Sequence, residues 1–159
     1  RFNIWHFKNV EVMIDYAHNT GGFIELEKFM NKTRATTKVG IIAAVGDRRD
    51  EDIMNVGRYA ARMFDSLIIR HDADTRGRNV DEIDHLLTLG AREVNENIPI
   101  DIIPVELEAV AHAMENAPEG SFICLCAENI AATIEYLDRT REAESVVNLK
   151  SKFILSKAS

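Results

Sequence analysis

Apolar positions along the chain switch repeatedly between a two-residue and a 3.6-residue period. Residues 2–7 alternate like an edge strand, and residues 10–14 (VEVMI) read as a second strand running into Asp15. Residues 22–31 place Phe23, Leu26, Phe29 and Met30 on one helical face. Residues 38–45 are a continuous apolar run, as befits a strand buried on both faces. A helix over 51–63 uses Ile53, Val56, Ala60 and Met63, and a short strand follows at 66–70. After a polar loop at 71–78, Asn79 is expected to cap a helix that buries Val80, Ile83, Leu86, Leu87 and Val94, with Glu82 as its capping-box partner. Residues 100–105 read as a strand that Pro104 confines to an edge or a strand end. A helix at 106–116, a turn at Pro118 and Gly120, a buried strand at 121–127 and a helix at 129–141 complete the pattern. From Glu142 the periodicity weakens. Val146, Val147, Leu149, Phe153, Ile154 and Leu155 are expected to pack either on the domain or on a partner, so the chain divides into a domain at 1–141 and a tail at 142–159.

The element order β-β-α-β-α-β-α-β-α-β-α predicts an α/β fold: a Rossmann-like, doubly wound, mostly parallel sheet with helices on both faces. Ligands of such sheets bind beyond the carboxyl ends of the strands, near the switch in strand order.

The length of 159 residues suits about one domain, and 46% hydrophobic residues supply a core. Lys plus Arg is 19 against 26 Asp plus Glu, a formal charge of −7, which argues against binding nucleic acid or an anionic membrane. The longest apolar run, residues 39–45, is far short of the roughly 20 residues that span a bilayer. Cys124 and Cys126 sit two apart in an apolar stretch, a spacing read as placing them on opposite faces and leaving them unbonded. Two buried free thiols suit a reducing, cytoplasmic location. The chain opens on Arg1 directly in strand-like sequence, as a piece of something longer would.

Three polar clusters fall at strand ends: residues 15–22 (DYAHNTGG), 46–50 (GDRRD) and 71–78 (HDADTRGR). Carboxylates can hold ribose hydroxyls or a cationic substrate, and arginines can hold phosphate or carboxylate through paired hydrogen bonds. Each cluster has a plain alternative. Asp15 and Asn19 can simply cap a helix, His18 can be structural, Asp47 and Asp50 can cap the helix at 51–63, and 71–78 can be a solvated loop. His18, His71, Asp72 and Asp74 match no strong metal-binding signature, so no dedicated metal site is expected. No phosphate-binding P-loop, dinucleotide glycine fingerprint or nucleophile elbow occurs.

The strand-ending D-Y-A-H-N at 15–19, the G-D-R at 46–48 that closes an apolar strand, and the charged loop at 71–78 together resemble the C-terminal domain of Mur-type amide ligases. The wording around them, RFNIWHFKNVEVMIDYAHN, VGIIAAVGDRRDEDI and IIRHDADTRGR, is similar to one branch of that family, the cyanophycin synthetases. The likeness covers residues 1–141. It implies the closing lobe of a ligase that uses ATP and Mg2+ to turn a carboxylate into an acyl phosphate, which an amine then attacks. In that branch the amine is arginine, and the acceptors are the side-chain carboxylates of an aspartate polymer. The P-loop domain and an ATP-grasp domain would lie upstream in the same polypeptide and hold most of the ATP and Mg2+. The full enzyme would be a homo-oligomer. Carried over by residue, Asp15 would bind the ribose, with His18 and Asn19 by the phosphates and the reacting centre and Asp47 and Arg48 bordering the same crevice. His71, Asp72, Asp74, Arg76 and Arg78 would recognise the amino acid, with Asp72 or Asp74 on its guanidinium and Arg76 or Arg78 on a carboxylate. Two departures stand out: Thr20 replaces the proline of many relatives, and the third loop lacks Asn-Pro before Arg76. Alone, the chain is expected to fold but to hydrolyse no ATP.

Three other readings compete. One is another ligase of the same superfamily, and one is a structural domain that holds oligomers together. The third is a noncatalytic nucleotide-binding or receiver-like module, which would need more acid than Asp15 at the first strand end and a lysine where Glu128 stands.

Overall fold

The computed structural model describes residues 3–158. Its elements are β1 (Asn3–His6), β2 (Val10–Asp15), α1 (Thr20–Met30), β3 (Lys38–Ile42), α2 (Asp50–Met63), β4 (Ser66–Ile69), α3 (Val80–Val94), β5 (Ile100–Ile102), α4 (Glu106–Asn116), β6 (Ser121–Cys126) and α5 (Ile130–Ala158). Phe2, placed in the first strand by the alternation, lies outside the described residues. The six strands form one sheet in the order β1-β2-β6-β3-β4-β5. Only β1 runs antiparallel, against β2; the other pairs are parallel. This is the expected Rossmann-like architecture.

Strand alternation sorts the core into two layers. Met13, Ile42, Leu67, Ile69 and Phe122 face α1, α2 and α3. Val12, Ile14, Ile41, Ile68, Ile123 and Leu125 face the other way, toward Ala109, Val110 and Ala113 of α4, Leu137 of α5 and Trp5 of β1. Cys124 and Cys126 lie in the first layer together, which corrects the expectation of opposite faces: a spacing of two returns to the same side of a strand. Both remain free thiols, and the Cys124 thiol is pushed well up by its contact with Cys126 and by burial.

Helix starts follow local chemistry, with two corrections. Asn19 caps α1 by accepting the Gly22 N–H at 3.0 Å, and Asn79 caps α3 by accepting the Asp81 N–H at 2.9 Å. Glu82 is not a capping-box partner; its carboxylate takes the Arg78 guanidinium at 2.8 Å. Neither Asp47 nor Asp50 caps α2, whose cap position is Arg49 without a side-chain bond. Val94 is 43% exposed rather than buried, because it is the last residue of α3 and its neighbours have run out.

Gly57 of α2 meets Leu87 and Ala91 of α3, and Gly90 of α3 meets Met54 of α2. At either glycine a Cβ would fall inside the radius of the facing backbone carbonyl, so the two helix backbones touch there.

The last helix differs most from expectation. It runs 29 residues without a break at 142. Its first half is tied to the β1–β2 turn: Trp5 Nε1–H donates to Asp138 at 2.8 Å, and the Lys8 N–H donates to Glu144 at 3.0 Å. Beyond Glu144 its apolar side chains are exposed, Val146 by 49% and Leu149 by 68%. They do not pack on the domain.

Two outcomes follow for the 159-residue chain. Gly57→Ala or Gly90→Ala should cost about 1–3 kcal/mol by forcing the helices apart, read as a thermal midpoint several degrees lower. A chain ending at Ser145 should unfold within about 0.5 kcal/mol of the longer one, because the removed half-helix buries almost nothing; denaturant titration checks it.

Candidate functional site

The carboxyl ends of β2, β3, β4 and β6 surround a cavity of about 380 Å³. The first loop lines it with Tyr16 and His18, the second with Val45 and Arg48, and the third with Asp72, Asp74 and Arg76. The three sequence clusters therefore converge on one rim. A smaller cavity of about 180 Å³ adjoins it at the start of α1, lined by Asn19, Thr20 and Asp52. His18, Val45 and Arg48 line both.

In the first loop Asn19 is the helix cap and Asp15 is not. Asp15 turns its carboxylate back to the Ala17 N–H at 2.6 Å and holds the loop at the strand end. Asn19 points its oxygen at the α1 start, which leaves its amide facing His18 Nε2 at 3.4 Å. His18 Nδ1 lies 3.0 Å from the Tyr16 carbonyl, which can only accept, so Nδ1 carries the proton and Nε2 the lone pair. The Tyr16 and His18 rings meet edge-on at 5.4 Å.

The second and third loops lock together. The Gly46 backbone lies so close to the Thr75 carbonyl that no Cβ fits between them. Arg78 donates to the Gly46 and Arg48 carbonyls at 2.9 Å each and also pairs with Asp50 and Glu82. It is thereby engaged in holding the loops, and it does not line the cavity. Arg76 sits in the left-handed region at φ 50, a strained position for a long side chain, and donates to Asp47 at 2.6 Å. That hydrogen bond holds the Asp47 carboxyl below the usual carboxylate range. Arg48 approaches Asp47 only to 3.9 Å and is otherwise without an ion pair among the described residues.

His71 turns away from the cavity. Its Nε2 lies 2.9 Å from the Asp84 carboxylate on α3. Asp72 lines the cavity but is held at 2.6 Å by Arg70. Asp74 accepts the Arg76 N–H at 2.8 Å and has no ion pair among the described residues. No group of three or more His, Cys, Asp or Glu among the described residues stands where it could hold a metal ion.

Sequence reasoning missed the fourth strand end. Glu128, just past β6, lines the cavity, and both its oxygens accept the Ala73 N–H at 3.1 Å. It also missed Arg70, 4% exposed, whose Nη2 and Nε donate to the Cys126 carbonyl at 2.7 and 3.1 Å. Its guanidinium also lies 3.1 Å from Glu106 and 3.8 Å from Glu128. A signal existed for both: each is the first charged residue to end an apolar parallel strand.

The model of the Mur ligase, glutamate ligase domain matches residues 1–129. A cyanophycin synthetase from Geminocystis herdmanii is 33% identical over 139 residues, which are 87% of this chain and 16% of that protein. A UDP-N-acetylmuramyl-tripeptide synthetase from Treponema denticola is 25% identical over 136 residues, 84% of this chain and 25% of that protein. Among solved structures, E. coli FolC in complex with ADP superposes with a TM-score of 0.67 at 19% identity, over 89% of this chain and 32% of that one. A UDP-N-acetylmuramoyl-L-alanyl-D-glutamate–2,6-diaminopimelate ligase gives 0.66 at 16% identity, over 79% and 25%. The chain thus spans only a small part of its relatives, but the match runs through all three strand-end loops and the sheet that carries them: it belongs to the Mur ligase, glutamate ligase domain family.

Proposed function

We propose that this chain is the lobe of an ATP-dependent amide ligase that presents arginine to the activated side-chain carboxylate of an aspartate polymer. The observation that carries the reading is the charge content of the larger cavity. Arg48 and Arg76 offer cations from the ends of β3 and β4, and Asp74 and Glu128 offer anions from the ends of β4 and β6. An amino acid with a cationic side chain needs both: a cation for its α-carboxylate and anions for its guanidinium. Curated relatives that match most of this chain are named cyanophycin synthetases, the branch that the sequence resembles.

This layout narrows the residues. Asp72 already holds Arg70, so Asp74 and Glu128 are the carboxylates left for the guanidinium. Arg78 is engaged by the second loop and Arg76 by Asp47, so Arg48 is the cation left for the α-carboxylate. A substrate guanidinium stays protonated at any physiological pH, so the α-amine is the group that can attack. Gripping both charged ends directs that amine and leaves the acceptor's approach open.

The smaller cavity would take the phosphate end of a nucleotide. Asn19 and Thr20 bring the start of α1 to it, whose leading N–H groups favour anions, and Arg48 adds a cation. His18, Asn19 and Arg48 would border ATP, which when bound supplies the activation of the acceptor carboxylate, whereas Asp15 and Asp47 line neither cavity: Asp15 accepts the Ala17 N–H and Asp47 the Arg76 guanidinium. His18, lining both cavities, stands where nucleotide and amine would meet. No cluster for Mg2+ exists among the described residues, so this reading leaves the metal chiefly to a P-loop domain elsewhere in the enzyme. The reading also has the enzyme in the cytoplasm, working as a homo-oligomer.

In the full ligase, Asp74→Asn should raise KM for arginine by about 10–100-fold, the worth of one charge-assisted hydrogen bond, with kcat nearly kept; an unchanged KM rejects the role. The isolated 159-residue chain, having no P-loop, should fold yet hydrolyse no ATP. Sustained, magnesium-dependent release of phosphate by the purified chain would overturn that.

A further inference from the structure

Arg70 is a guanidinium buried at the foot of the larger cavity, with no counterpart in the polar clusters that mark the site. It leaves the end of β4 and reaches the last carbonyl of β6, two places away in the sheet, past β3. Neighbouring strands are spaced about 4.8 Å apart, so the side chain must extend almost fully. Its nitrogens meet four groups on three elements: the Cys126 carbonyl and Glu128 beyond β6, Asp72 beyond β4, and Glu106 at the start of α4. Glu106 in turn accepts the Glu128 and Asn129 N–H groups and the Thr133 hydroxyl, fixing the start of α5. From the cavity side, the Ala73 N–H closes the ring on Glu128. The third loop and the loop after β6 are therefore joined to each other through one cation.

We propose that Arg70 is a positioning residue for the amine subsite. It occupies Asp72 and Glu106 and thereby holds Asp74 and Glu128 in place as the carboxylates that select a cationic amino acid. The inference rests on the function proposed above for its second half only. The joining of the two loops is independent of the substrate.

Two substitutions test it in the full-length ligase. Arg70→Lys keeps the charge but loses the planar fork, since a lysine presents three donors from one nitrogen and cannot serve both Cys126 and Asp72 as the guanidinium does. Glu106→Gln keeps the shape and removes the charge on the α4 side. Hydrogen exchange reads the first half. Either variant should speed exchange about 10-fold in peptides covering 71–78 and 126–130 together, with peptides of 50–63 unchanged. An unchanged rate in both loops, or an equal rise throughout the domain, overturns the proposal. Steady-state kinetics reads the second half. KM for arginine should rise about 10-fold while kcat stays within about 3-fold, and KM for ATP should hold. Loosened loops with KM for arginine unmoved overturn the selectivity claim. If Arg70→Lys does not fold, Glu106→Gln carries both measurements. If the unsubstituted ligase does not use arginine at all, the proposed function fails, and the exchange result still supports or sinks the joining of the loops.

Discussion

A buried guanidinium shared between β4, β6 and α4 is the contact on which the site depends. A charge taken out of water costs several kcal/mol unless it is fully paired. Arg70 is paired by a carbonyl and by carboxylates on both sides, which constrains all of its neighbours at once. Asp72 cannot turn away, the chain beyond β6 cannot lift, and α4 cannot slide without stranding that charge. A buried pair of this kind adds little net stability against an apolar substitute. What it supplies here is a single arrangement for two loops that have no hydrophobic core of their own.

The remaining loops are fixed by close approach. Gly46 lets the second loop lie directly on the Thr75 carbonyl, and Arg78 then stitches the two together through four acceptors. This contact pushes Arg76 into the left-handed region. The strain is held because Asp47 receives the guanidinium. In the first loop, Asn19 caps α1, and the Tyr16 carbonyl holds His18 through Nδ1. The side chains facing the cavities are thus placed by polar partners rather than by apolar packing.

The chain's acidity and the mixed charge of its cavity are separate properties. The net charge of −7 belongs to the whole chain, while Arg48 and Arg76 make part of the rim cationic. At the other end, the second half of α5 continues the helix with its apolar side chains exposed.

The sheet, the helix order and the three strand-end clusters were legible in the sequence. Period-two and period-3.6 patterns encode burial directly, and a parallel sheet gathers its carboxyl ends on one side. The same rule, carried to the fourth parallel strand, would have found Glu128, and a correct count along β6 would have put Cys124 and Cys126 on one face. The pairing of the charged side chains was not legible. Asp72 and Asp74, or Arg76 and Arg78, are equivalent by composition and differ only in who faces them. His71 turns to Asp84, and Glu82 to Arg78, because those partners lie within reach only after the chain has folded. Burial pattern is a local property of the chain, so the sequence alone determined it. Charge pairing depends on distances between residues up to 58 positions apart, as between Arg70 and Glu128, and only the tertiary structure could decide it.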